Sequence, residues 1–254
     1  MKTNYNILIK KFTEIANNGW IEGESLHPNS IGLTFEKQLK KNADSMFLPD
    51  FYGIEIKCKS RFSNYPISIF TQSFDGPALF ETNEILEKYG KRDYQFKDRK
   101  TLITNLKTKE RILFNNKYYL KLKIDRKKEK LFLQVYDTEY NLLEEKSYVE
   151  FNTLKTKIEL KLKNLALILA SKKIIDKKQY HRYYKIIIYE LYSFENFINL
   201  LDDDIIKVTL ICRVSRSGDE AGRQRNKNLV FLIDQDNLEK LFKLKFIYDH
   251  DLLY

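Results

Sequence analysis

Cysteine, histidine, tryptophan, proline and glycine are all scarce in this sequence, and each scarcity narrows what the chain can be. Two cysteines, Cys58 and Cys212, are too few for a disulfide-stapled scaffold and read as reduced, buried thiols. Three scattered histidines (His27, His181, His250) with no Cys or His cluster argue against a zinc site, and His27 and His181 read as structural. The single tryptophan, Trp20, reads as a core or lobe-junction residue. No apolar run approaches the roughly 18 residues needed to cross a membrane. The start, Met1-Lys2-Thr3-Asn4-Tyr5, leads into a lysine-containing amphipathic stretch rather than a signal peptide, so a cytoplasmic protein with no membrane association is expected. With only four prolines and eight glycines, neither a low-complexity linker nor an internal repeat is evident.

What is present describes a folded, basic chain. Its 254 residues suffice for one large domain or two lobes, and 43% hydrophobic with 31% charged residues indicates a globular protein. A formal net charge of +10 favours polyanionic partners, nucleic acid first and acidic membrane surfaces second. An AT-rich genome also enriches Lys, Asn, Ile and Tyr, so charge alone does not decide the matter.

Periodicity predicts helices over 5–18, 31–41, 78–89, 154–162, 193–201 and 236–241. It predicts strands at 54–57, 66–71, 118–124, 130–136, 146–151, 165–170, 183–191, 205–214 and 229–233. The charged segment 91–109 reads as a connector or surface arm. The mixture points to an α/β (α+β) fold around a mixed sheet.

Chemistry concentrates in Leu48-Pro49-Asp50-Phe51-Tyr52-Gly53-Ile54-Glu55-Ile56-Lys57. In a strand, Glu55 and Lys57 share one face while Ile54 and Ile56 enter the core on the other. Gly53 permits a bend that brings Asp50 round to Glu55. Two carboxylates beside a lysine suit a hard divalent cation next to a scissile phosphate: Asp50 and Glu55 as metal ligands, Lys57 as the cation that stabilises developing charge. The competing reading is a surface ion pair between Glu55 and Lys57, a pattern that arises by chance in a chain this charged.

The surrounding segments add to this. Ser30-Ile31-Gly32-Leu33-Thr34-Phe35-Glu36, followed by Leu48-Pro49-Asp50 and Gly53-Ile54-Glu55-Ile56-Lys57, closely resembles the MvaI/BcnI family of restriction endonucleases. These are relatives of the mismatch-repair nickase MutH within the PD-(D/E)XK nucleases. The resemblance extends through Ile69-Phe70-Thr71-Gln72-Ser73 and Tyr89-Gly90-Lys91 to Asp93, then more loosely through 176–184 and 206–214. It implies a restriction-endonuclease-like, MutH-like fold: a mixed central sheet, flanking helices, and two lobes around a DNA cleft. On that basis residues 1–110 are expected to be mainly catalytic and 111–254 mainly recognition. It further implies a monomeric, Mg²⁺-dependent enzyme in which Asp50 and Glu55 hold the metal, Lys57 is catalytic, and Glu36 supports the lysine or a nearby water. Without the resemblance, Glu36 reads as a solvated helix residue paired with Lys40.

A second region, 213–228, crowds Arg, Gln, Asn and Ser into a loop between two strands. Arg213, Ser215, Arg216, Ser217, Arg223, Arg225, Asn226 and Lys227 are the expected DNA contacts, since Arg reads guanine, Asn reads adenine, and Lys and Ser hold phosphates. The bland reading is a charged loop. Family members carry His next to Gly near this point, where this chain has Lys227-Asn228, which leaves the target sequence open. Lys172 and Lys173 head a basic run interleaved with tyrosines that is expected to track the DNA backbone.

The expected function is a type II restriction endonuclease that cuts double-stranded DNA at a short CC-N-GG-like site and leaves 5′-phosphate ends. A MutH-like nickase is the alternative enzyme, and a non-catalytic DNA-binding protein on a nuclease scaffold is the alternative of another class. The intact acid–acid–lysine set argues against the last. A protective DNA methyltransferase is expected as a genetic rather than physical partner.

Overall fold

The structure, a computed structural model, describes residues 2–39, 49–76, 85–216 and 218–253; the side chains of 2, 3, 225–228, 252 and 253 lie outside that description. Helix α1 (Lys2–Asn17) and strand β1 (Ile21–Glu22) lead to α2 (Ser30–Gln38) and β2 (Glu55–Ser60). Strands β3 (Ile67–Ser73), β4 (Lys91–Arg92), β5 (Lys100–Leu106), β6 (Ile112–Phe114) and β7 (Tyr118–Asp125) follow, then β8 (Lys130–Tyr136), β9 (Leu142–Glu144) and β10 (Tyr148–Glu150). Next come α3 (Phe151–Lys161), β11 (Asn164–Ile175), β12 (Lys178–Leu191), α4 (Phe194–Asp202), β13 (Ile206–Val214) and β14 (Gln224–Ile233). A 3-10 turn (Gln235–Asn237), helix α5 (Leu238–Leu241), β15 (Phe242–Asp249) and a 3-10 helix (His250–Leu253) complete the series.

These elements form two compact units, each assembled from separated segments. The first comprises 1–67, 157–193 and 239–254, the second 68–156 and 194–238. The units therefore interleave along the chain instead of meeting at a single point near residue 110.

In the first unit, β1, β12, β11 and β2 lie in that order, with β15 also on β12. The sheet is mixed: β2 runs parallel to β11, with Glu55 opposite Leu165 and Lys57 opposite Leu167, whereas β11 and β12 are antiparallel. Helices α1 and α2 carry apolar residues at helical spacing (Leu8, Phe12, Ile15; Ile31, Phe35) and lay them on Ile54, Ile56, Ile168, Ile186 and Ile188. Each fully buried side chain of this kind contributes about 1.5–3 kcal/mol. That packing fixes the face of β2 and leaves Glu55 and Lys57 on the other.

The second unit holds two sheets, β3-β14-β13-β5-β4 and β10-β8-β7-β6 with β9 beside β8. Phe70, Phe197 and Phe231 cluster in its core, the Phe70 and Phe231 rings stacked 4.5 Å apart.

Several expectations change. Segment 91–109 is no connector: β5 lies inside a sheet, with Leu102 and Leu106 buried opposite Cys212 and Val208. Its burial depends on a partner strand about a hundred residues later, which local composition does not reveal. The helix expected over 236–241 is not the last element, because β15 and a 3-10 helix at His250–Leu253 follow it. Trp20 is 38% exposed and sits under the Lys173 ammonium, 4.2 Å from the ring centroid, so it is not a core residue. The expected helix over 78–89 is described only at 85–89, where it is helical, and Lys40 and Lys41 also lie outside the described residues.

Candidate active site

The chain enters β2 through a two-residue turn. Phe51 and Ile54 exchange both backbone hydrogen bonds at 2.9 Å, and the residues between them, Tyr52 (φ 45°) and Gly53 (φ 83°), are both left-handed. Such a turn suits the twist of a hairpin and favours glycine at its second position. Because Phe51 pairs with Ile54, Asp50 is folded back alongside Glu55. The Asp50 Oδ2 accepts a hydrogen bond from the Ile56 N–H at 2.9 Å, which holds the carboxylate at the start of β2.

Glu55 is 1% exposed. Its Oε1 takes the Lys57 ammonium at 2.7 Å and, from the end of α3, the Lys161 ammonium at 3.4 Å. Its Oε2 is buried with no hydrogen-bond partner. Burial pushes the Glu55 carboxyl above the ordinary range; Lys57 and Lys161 oppose the rise and the Asp50 charge adds to it. Thus one oxygen of this carboxylate is neutralised by ammonium groups while the other is desolvated and uncompensated. Glu36 lies half-buried on α2, and its charge reaches Cys58 on β2, where burial foremost holds the thiol protonated. Both cysteines remain thiols.

Lys161 was not singled out by sequence. It stands over a hundred residues from Glu55 and arrives there because α3 leads into β11, the parallel neighbour of β2. Nothing local signals that approach.

His181 is fully buried; its Nε2 lies 3.1 Å from Gln179 Nε2 and 3.3 Å from Ser30 Oγ. Burial lowers its pKa to about 4, so it is neutral near pH 7 and structural, away from the carboxylates.

The residues expected to contact DNA divide between the units. Lys172, exposed, and Lys173, over Trp20, belong to the first unit, on β11. The others gather at the β13–β14 tip in the second. Arg213 is exposed at the end of β13, and its backbone carbonyl accepts from the Gln224 amide at 3.2 Å. Ser215 is buried, and its backbone closes the tip through bonds with Arg223 and Gly222. Arg223 pairs with Glu220 at 2.5 Å on the surface. Arg216 pairs with the buried Asp93 and lies 4.3 Å over the Tyr94 ring. Ser217 lies outside the described residues, as do the side chains of Arg225, Asn226 and Lys227.

A cluster of two carboxylates and two ammonium groups at a strand end suits chemistry on a charged ester. The family model for the MvaI/BcnI restriction endonuclease family matches residues 9–242. Among solved structures, the restriction endonuclease MvaI–cognate DNA substrate complex is similar at 25% identity and a TM-score of 0.87, over 94% of this chain and 96% of that one. Restriction endonuclease MvaI in the absence of DNA shares the fold at 24% identity and a TM-score of 0.61, over 96% of this chain and 98% of that one. No curated protein matches the chain. With nearly the whole chain covered by one family model, this protein belongs to the MvaI/BcnI restriction endonuclease family.

Proposed function

We propose that this restriction endonuclease is a Mg²⁺-dependent type II enzyme that hydrolyses double-stranded DNA with Asp50, Glu55 and Lys57. The observation that carries the reading is the buried, partnerless Glu55 Oε2 beside Asp50. A carboxylate oxygen withdrawn from water without compensation is costly, and a cation removes that cost. The donor set fits Mg²⁺. Among the described residues no group of three or more His, Cys, Asp or Glu gathers, so two carboxylates would leave the remaining positions to water and phosphate, the arrangement Mg²⁺ prefers. When bound, the ion polarises the phosphoryl oxygen and acidifies water.

The chain's own groups do the rest. Asp50 and Glu55 hold position because the Ile56 N–H fixes one and the Lys57 and Lys161 ammonium groups hold an oxygen of the other. Lys57 sits at the edge of the pocket, where its charge opposes the negative charge that accumulates on the phosphoryl oxygens as water attacks phosphorus. In the overall reaction the water oxygen bonds to phosphorus, the bond to the 3′-oxygen breaks, and a proton ends on that oxygen. This leaves a 5′-phosphate and a 3′-hydroxyl. Glu36 supports this edge of β2 from α2. Short sites of the CC-N-GG kind, a monomeric enzyme cutting one strand at a time, and a cognate methyltransferase encoded nearby complete the proposal.

Incubating plasmid with protein and Mg²⁺, then sequencing the ends, tests it. Discrete double-strand cuts at one short sequence, abolished by EDTA, are expected. Nicked circles alone would point to a nickase, and uncut plasmid would overturn the reading.

A further inference from the structure

The β4–β5 turn and the β13–β14 tip meet at one edge of the second unit. Strand β5 pairs with β13 so that Leu102 lies opposite Cys212, which sets the 93–99 loop beside residues 215–223. The 93–99 loop is closed on itself by Asp93 N–H to Arg99 O at 2.8 Å and Arg99 N–H to Phe96 O at 2.9 Å. The tip is closed by Ser215 N–H to Arg223 O at 2.9 Å and Gly222 N–H to Ser215 O at 3.0 Å. The two touch where Gly222 (φ +81°) faces Phe96: a Cβ there would stand 3.3 Å from the ring. Neither loop is therefore placed independently of the other.

Between them lies Asp93, 2% exposed. Its Oδ1 accepts the Gln95 and Phe96 N–H groups at 2.9 and 3.0 Å and also the Arg216 guanidinium, while its Oδ2 is buried without a partner. Tyr94 stacks on the other side of the arrangement, its ring 4.3 Å from the guanidinium carbon. One edge of Arg216 is thus held by a buried carboxylate, and its guanidinium lies over an aromatic ring. The side chain nevertheless remains 37% exposed. A guanidinium carries five N–H donors in a planar fork, and Asp93 engages the Nη1 end, leaving others toward solvent.

We propose that Arg216 is a guanine-reading residue and that Asp93 and Tyr94 are positioning residues that present it to the major groove. The inference rests on the DNA-cleaving reading for its ligand class. Guanine is the base because its O6 and N7 offer two acceptors matching a guanidinium fork, the commonest specific contact to a base edge. A phosphate would accept the same cation, but it does not require a fixed plane. Pinning both the edge and the face of a long side chain is useful where orientation decides which base is accepted, since less rotamer freedom is lost on binding.

Selecting tightly bound duplexes from a randomised pool in Ca²⁺, and sequencing them, tests the proposal by binding alone. The wild-type protein is expected to demand guanine at one position. R216K, D93N and Y94L are expected to relax that position by about 10- to 100-fold for R216K and less for the other two, with the remaining positions unchanged. Replacing that guanine by 7-deazaguanine should weaken the wild-type protein about 10-fold and leave R216K indifferent, which isolates the contact itself. A uniform loss of affinity at unaltered sequence preference, in variants folded by circular dichroism, would overturn the proposal and make the trio a bolt between loops. Absence of any preferred guanine in the wild-type selection would also overturn it. Because binding is read, a protein that selects DNA yet never cuts it would sink the nuclease reading and spare this one.

Discussion

Glu55 and Asp93 are the two most instructive carboxylates of the molecule, and they are alike until their partners are counted. Both are nearly inaccessible, both give one oxygen to a cationic side chain, and both keep the other oxygen buried without a donor. Yet their acidities move in opposite directions. Glu55 is pushed up, because desolvation outweighs two ammonium groups that reach only its Oε1. Asp93 is held well below the usual carboxylate range, because the Arg216 guanidinium and two backbone N–H groups converge on its Oδ1. Both are closed to solvent, but desolvation leads at Glu55, whereas at Asp93 the guanidinium and the backbone N–H groups outweigh it. Asp93 has its charge met by Arg216 and serves to fix a neighbour, although its Oδ2 also lacks a donor. Glu55 keeps a raised pKa, and on the proposed function its open oxygen is the one a cation would take.

This contrast breaks most sharply at Lys57. K57A is expected to slow cleavage by at least about 10²- to 10³-fold, the effect of removing one group aimed at developing charge, while affinity for DNA in Ca²⁺ stays within about threefold. Cleavage at the wild-type rate would remove Lys57 from the chemistry. The next test sets the two acids against each other. Mg²⁺ or Ca²⁺ is expected to raise the melting temperature of the wild-type protein and of D93N alike, and to have no such effect on E55Q; calorimetric scans with and without EDTA check it. An equal metal response in E55Q would show that Glu55 is not a ligand. Lys161 sharpens the same point, since on the proposed function its charge at Glu55 Oε1 would repel a metal ion at Oε2. K161M is expected to bind Mn²⁺ roughly 10-fold more tightly by titration while turning over more slowly, because a repelling charge has been removed from the site.

Acid should expose the remaining buried groups in a defined order. His181 titrates at about 6.5 when unfolded and about 4 when folded, so between those values the unfolded chain binds more protons and stability rises with pH. Denaturant titrations are expected to lose at most about 3 kcal/mol as pH falls from about 6.5 to about 4, and H181N should flatten that slope. Asp93, whose folded acidity is greater than its unfolded one, contributes stability above the ordinary carboxylate range and yields it only at lower pH. The smallest effect belongs to the turn before β2. G53A is expected to cost roughly 1 kcal/mol, because alanine does not favour the left-handed backbone that Gly53 adopts at φ 83°.

The two acids also differ in how readily sequence reveals them. Asp50, Glu55 and Lys57 fall within one short segment whose alternation and glycine announce a turn and a strand, so their meeting follows from local rules. Strands β8 and β11, with continuous apolar runs, and β13, with apolar residues at alternate positions, are equally legible. Arg216 and Asp93 lie 123 residues apart, and the partner strand that joins their loops, β5, is buried through only a few side chains. Lys161 is hidden for the same reason: a helix end and a parallel strand bring it to Glu55, and neither leaves a mark on adjacent residues. Strand β15 was missed because its outward residues, Leu244, Phe246 and Ile247, are themselves apolar and half-exposed, which blurs the alternation that marks a strand.

On the proposed function Glu55 takes a metal ion and Asp93 does not. Crystals soaked in Mn²⁺ and measured for anomalous scattering would test it most directly. One strong peak is expected within about 2.3 Å of Glu55 Oε2 and an Asp50 oxygen, and none at Asp93. Density elsewhere, or an Asp50–Glu55 pair untouched by the ion at saturating concentration, would contradict it.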